Sequence, residues 1–94
     1  MLKHVVFVKV KDKKDLLKLK DLFLSMKENI PLIKEIEVGI NNRQMPVSFD
    51  ICLEIYVNSV EDLDAYISHP YHAKTVMDYL NSVKTEVAVV DYDI

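Results

Sequence analysis

Leu2-Lys3-His4-Val5-Val6-Phe7-Val8-Lys9-Val10 is the stretch on which the fold turns. Side chains of a strand alternate between its faces, so Leu2, His4, Val6, Val8 and Val10 share one side while Lys3, Val5, Phe7 and Lys9 share the other. Both sides are apolar in the middle. A half-solvated strand would be polar along one of them, so this one is predicted to be central in its sheet and covered on both faces.

Downstream, Asp12 to Asn29 carries Leu16, Leu19, Phe23, Met26 and Ile30 at spacings of three or four, with Leu17, Leu22 and Leu24 widening the stripe. That is an amphipathic helix, closed by Pro31, which pushes its predecessor out of α geometry. Ile33 to Ile40 alternates as a second strand, and its Gly39, the single glycine of the chain, suggests a bulge or a close backbone approach. Asn41 to Pro46 is a loop by composition. Asp50 to Val57 is a third strand, with Ile51, Leu53, Ile55 and Val57 on one side. Ser59 is a good N-cap for a helix starting at Val60, with Glu61 and Asp62 in the first turn. Pro70 cannot sit inside that helix but suits the first turn of another, so a break is predicted at His69-Pro70. The second piece runs to Val83 with a buried stripe of Ala73, Val76, Met77, Leu80 and Val83, and Val87 to Asp93 is the last strand.

The order β-α-β-β-α-β is the ferredoxin-like split pattern, an α+β fold whose four-stranded antiparallel sheet has its helices on one face. All 94 residues form one domain. The other sheet face is left uncovered, and a second copy of the chain is the simplest cover, so a homodimer is expected, with Val6 assigned to the pairing face.

Composition narrows the function classes. Half of the residues are hydrophobic and 29% are charged, as in a globular domain rather than a disordered one. The net charge is −3 and the lysines between Lys9 and Lys20 are interleaved with Asp12 and Asp15, which disfavours nucleic-acid binding. No apolar run approaches the roughly 20 residues of a membrane-spanning helix, and the N-terminus does not read as an export signal. With Cys52 the sole cysteine, no internal disulfide is possible, and a cytoplasmic location is expected. No cofactor is expected.

Several segments together resemble the stress-responsive A/B barrel (Dabb) family: Lys3-His4-Val5-Val6, Ile30-Pro31, Ile36-Glu37-Val38-Gly39, Phe49-Asp50, Ser59 to Leu63, Tyr66-Ile67-Ser68-His69-Pro70-Tyr71-His72, and Val89-Val90-Asp91-Tyr92. The resemblance implies a dimeric α/β barrel in which two sheets face each other, with a cavity in each half. Plant polyketide cyclases similar to this family use a histidine and a tyrosine of the Tyr-x-x-His-Pro-x-His segment for ring closure, which on this chain are His72 and Tyr66. The cyclases carry a further histidine in the third strand, where this chain has Ile51.

These matches make His72 and Tyr66 the candidate catalytic pair, the imidazole as base and the phenol as donor to a developing oxyanion. His4, Tyr66, His69 and His72 are the candidate ligand-binding residues, with His4 expected to line the barrel interior as the floor of the cavity. His69 and His72 lack the further ligands that zinc requires, so no metal is expected. Cys52 reads as core, and Asp50 and Asp91 as strand-end hydrogen-bonding groups. The leading functional reading is a dimeric barrel that binds a small hydrophobic or aromatic molecule. Its alternatives are a small cofactor-independent enzyme of cyclase, isomerase or oxygenase type built on His72, and a structural, stress-protective assembly.

Overall fold

In the computed structural model, which describes residues Met1 to Ile94, the strand that reads as apolar on both faces is β1 (Leu2–Val10), and it has a hydrogen-bonded neighbour on each side. β2 spans Glu35–Ile40 and β3 spans Ile51–Val57. β3 pairs antiparallel with β1 from Leu2↔Val57 to Val8↔Ile51, and β4 (Lys84–Asp93) pairs with it from Leu2↔Asp93 to Val10↔Lys84. The sheet order is β2-β3-β1-β4. The predicted ferredoxin-like arrangement is therefore present, with β1 central.

Asp12 accepts a hydrogen bond from the Lys14 amide at 2.9 Å and opens a 3-10 turn over Lys13–Asp15, from which α1 (Leu16–Asn29) continues. Leu16, Leu19, Phe23 and Met26 form its buried face. Leu17 and Leu24, expected to widen that face, are 71% and 38% exposed, because neighbours in a helix are rotated by about 100° and Leu17 points away from the sheet. Ile30 leaves the helix in extended geometry, as a residue before proline does.

α2 (Val60–Ser68) starts where Ser59 Oγ accepts from the Asp62 amide at 3.1 Å. The break at His69-Pro70 is present. The segment after it, Tyr71–Val76, is a π-helix in which the Met77 amide donates to the His72 carbonyl five residues back, and only then does α3 (Met77–Val83) begin. The wider turn carries Ala73 to the surface while Val76, Leu80 and Val83 stay buried, so the predicted stripe loses its first member.

Strand parity decides what each sheet face meets. Val6 and Val8 point at the helices, where they join Leu19, Phe23 and Ile55 in the core. The assignment of Val6 to the pairing face is therefore corrected, and with it the placing of His4 in the barrel interior: His4 shares that parity and lies on the helix side. Alternation separates two faces but does not say which one the helices take. The open face instead presents Lys3, Val5, Phe7 and Lys9 of β1, with Cys52, Glu54 and Tyr56 on one side and Ala88, Val90 and Tyr92 on the other. Cys52 is thus half-buried opposite Phe7 rather than in the core, and burial pushes its thiol above the ordinary pKa. Gly39 pairs regularly with Cys52, and a Cβ there would meet nothing within 4 Å, so it marks neither bulge nor close approach. The register shifts instead between Lys9 and Val10 on the β4 side. No helix is long and apolar enough to cross a membrane.

Asp50 closes the sheet at the end of β1. Its amide donates to the Val8 carbonyl at 2.9 Å, its buried carboxylate accepts from the Val10 amide at 2.9 Å, and Lys13 Nζ lies 2.9 Å from the other oxygen. Burial works to raise the Asp50 pKa, but the Val10 amide and the Lys13 ammonium outweigh it and hold the group below its ordinary value. The stabilisation is complete above the unfolded-state value near 3.9 and is lost as pH falls through the lower native one. Asp50→Ala should cost about 2 kcal/mol in urea unfolding at pH 7, and the gap between wild type and Asp50→Asn should close below about pH 4. A gap that stays constant down to pH 2 would show that the charge of Asp50 is not what stabilises.

Candidate functional site

Between the helix side of the sheet and the helices lies a chamber of about 350 Å³ with a mostly apolar lining. Its floor is Val6 and Leu53, and Phe23 and Met26 of α1 close one side. The helices cover β1 and β3 more fully than β4, where Val87 and Val89 line the chamber yet remain 37% and 50% exposed. The mouth is therefore along β4.

Four polar side chains converge at one end, each brought there by a different element. His4 comes from β1, and the antiparallel register sets Asp91 of β4 directly opposite it. Tyr66 comes from the last turn of α2, and His72 from the π-helix beyond the proline break. The break lets residues six apart in sequence come together: the Tyr66 and His72 rings are 4.7 Å apart and inclined at 49°. On its other side Tyr66 meets His4 edge-on, with ring centroids 5.7 Å apart.

Hydrogen bonds orient both imidazoles. His72 Nδ1 lies 2.8 Å from the Ile67 carbonyl, which can only accept, so Nδ1 carries the proton and Nε2 is a base in the neutral ring. Burial lowers the His72 pKa below its ordinary value. The Ile67 carbonyl opposes that shift and the nearby His4 reinforces it. His4 Nδ1 donates to the Asp91 carboxylate in a short contact. His4 Nε2 bonds to no protein group, yet no buried polar side-chain atom in the chain is both sealed off and unpartnered, so this nitrogen opens onto the chamber. A carboxylate that orients an imidazole in this way is the usual support of a general base.

Burial drives the Tyr66 phenol upward in pKa and keeps it protonated at neutral pH. Its O–H has one protein partner, Met26 Sδ at 3.7 Å, and a thioether is a weak acceptor. A ligand oxygen at this point would be a better partner than the sulfur, and it would lie between two imidazoles.

His69 stands apart from this group. Its Nδ1 accepts from the Tyr71 amide at 3.1 Å at the entry to the π-helix, and it does not line the chamber. No three His, Cys, Asp or Glu side chains are grouped to hold a metal ion. Ile51 is buried, and with Leu53, Ile55 and Val57 it leaves β3 no polar group on the helix side. Asp91, by contrast, reads from the sequence only as a strand-end residue. The one signal for it lies in the pairing of the first and last strands, which sets it opposite His4. A second hollow of about 340 Å³, on the open face beside Phe7 and Gly39, has Cys52 as its only titratable side chain.

Comparison with known proteins gives one consistent picture. Residues 2–94 match the family described as Stress responsive A/B Barrel Domain. A dimeric protein of unknown function with a ferredoxin-like fold from Bacteroides fragilis superposes with a TM-score of 0.81 at 28% identity, over 99% of this chain and 95% of that one. A protein from Arabidopsis thaliana gives 0.86 at 21% identity, covering 100% and 95%. The hydroxynitrile lyase of Passiflora edulis gives 0.85 at 18% identity, covering 99% and 92%, a likeness of fold alone. No curated protein matches.

The His72 ring should titrate below 6.5 in two-dimensional ¹H–¹⁵N spectra and, above that midpoint, carry its proton on Nδ1. Because the native value is the lower one, this group's contribution to stability is present above pH 6.5 and declines as pH falls toward the native midpoint. A midpoint at or above 6.5, or a proton on Nε2, would contradict the geometry.

Proposed function

Because the chain belongs to the stress-responsive A/B barrel family, we propose that it works as a homodimer whose chambers each bind a small hydrophobic or aromatic molecule, with a carbonyl or hydroxyl group held by His4, Tyr66 and His72. The observation that carries this reading is the Tyr66 hydroxyl: a nearly fully buried phenol, set between two oriented imidazoles in an apolar chamber, and bonded only to sulfur. A chamber this size, apolar but for a few convergent polar groups, has the make-up of a small-molecule site. A helix–sheet layer that served only to support assembly would be packed solid there.

The open sheet face supports the dimer. Val5, Phe7, Ala88 and Val90 form an apolar centre flanked by the ion pairs Lys3–Glu54 at 2.9 Å and Lys9–Glu86 at 3.3 Å. The Bacteroides fragilis relative is itself dimeric. Facing two such sheets would join them into an α/β barrel and remove both patches from water.

One observation favours a second reading, proton transfer within the chamber. The His4–Asp91 pair and the neutral His72 supply two bases beside a protonated phenol, the components of enolisation α to a carbonyl with Tyr66 donating to the oxyanion.

Two measurements test the proposal. In sedimentation at micromolar concentration the protein should run at twice 10.9 kDa. Val90→Asp, at a position 53% exposed in the single chain, should keep the fold and shift the species to 10.9 kDa, since an unpaired charge inside an apolar interface costs several kcal/mol. A wild type that runs at 10.9 kDa would refute the dimer. For the chamber, substituted phenols and acetophenones at millimolar concentration should move the ring resonances of His4 and His72. Val76→Phe, which fills the chamber, should abolish the effect without unfolding the protein. If no compound moves either ring, the chamber is not a binding site.

A further inference from the structure

The chamber is long rather than round. On the helix side, β1 and β4 run from the His4–Asp91 pair through Val6–Val89 and Val8–Val87 to Val10–Lys84. His4 and Val10 are six residues apart, which at about 3.3 Å per residue separates the two ends by roughly 20 Å of backbone. The proton-handling groups occupy one end. Lys84, with Leu80 and Asn81 of α3, lines the other.

Lys84 is half-buried at this position and takes part in none of the protein's ion pairs. Asp91, the carboxylate in the same lining, is already held by His4 at the opposite end. The chamber lining thus includes one lysine with no ion-pair partner, in a chain whose net charge is −3 and whose carboxylates outnumber its cations. An ammonium at the rim of an apolar chamber gains from an anion that enters the chamber, because the partly apolar surroundings screen the pair less than bulk water does. One lysine beside an amide, with no second cation and no arginine fork, suits a monoanion such as a carboxylate rather than a phosphate dianion.

We propose that the occupant of the chamber is an elongated monoanion, an aryl-alkyl carboxylate whose carboxylate pairs with Lys84 at the mouth while its hydroxyl or carbonyl end meets Tyr66. The inference rests on the reading of the chamber as a binding site and adds the charge and polarity of its ligand. Lys84 then selects acids over neutral compounds of the same shape, and the His4–Tyr66–His72 end selects the distal group.

The test compares 4-(4-hydroxyphenyl)butanoate with its primary amide, by NMR titration that follows the His4 and His72 rings together. The acid should bind about tenfold more tightly than the amide at low ionic strength, with the preference shrinking as salt is added. Lys84→Gln should remove the preference while leaving amide affinity unchanged, and Lys84→Arg should keep most of it. Equal affinities for acid and amide, with both moving the histidine rings, would overturn the proposal and leave the chamber standing as a site. A preference that survives in Lys84→Gln would also overturn it. If neither compound moves either ring, the reading of the chamber fails, and the proposal fails with it.

Discussion

The pairing of β1 with β3 on one side and β4 on the other is the constraint from which the rest of the structure follows. It binds the nine-residue first strand into two antiparallel ladders, so each side chain from Leu2 to Val8 has a fixed neighbour from the middle of the chain and another from its end. One parity of β1 then belongs to the core, where Val8 is fully buried, and the other to the open face. The same ladders set His4 beside Asp91 and give the β1 end to Asp50, whose carboxylate takes the Val10 amide beyond the last β1–β3 pair. Sheet construction and site construction are one event in this chain.

The site is made of polar groups that a core would ordinarily exclude. Burying an imidazole or a phenol costs free energy unless it finds a partner, and each has found a different one: a carboxylate for His4, a carbonyl for His72, a thioether for Tyr66. The first two are good acceptors and lock the rings into defined tautomers. The third is poor, which leaves the central hydroxyl with hydrogen-bonding capacity in reserve. Burial also sets protonation, holding His72 neutral and Tyr66 protonated near neutral pH, so that bases and an acid stand side by side without neutralising each other.

The two sides of the sheet divide the labour by charge placement. On the open face the lysines of β1 are matched across the strands by Glu54 and Glu86, so the apolar centre is framed by paired charges. On the helix side only the ends are polar, and the ends differ: acid–base groups at one, the unmatched Lys84 at the other. β4, an edge strand, serves both, which is why so much of it stays exposed in a single chain.

The sequence by itself determined whatever depends on neighbours along the chain. Alternation in Leu2–Val10 marked a doubly covered strand, Ser59 marked a helix start, and Pro31 and Pro70 marked stops, because pleating, capping and proline sterics act over a few residues. The family motif likewise singled out Tyr66 and His72, which the fold does bring into contact. Tertiary structure decided the rest. Which face of β1 the helices take is a packing outcome, so Val6 went to the core and Cys52 to the open side. The π-helix rotated Ala73 outward and left His69 bonded to Tyr71 outside the chamber, although it shares its motif with His72. Above all, the His4–Asp91 pair joins residues 87 apart, and no local rule acts over that separation; only the register of the first strand against the last makes them neighbours.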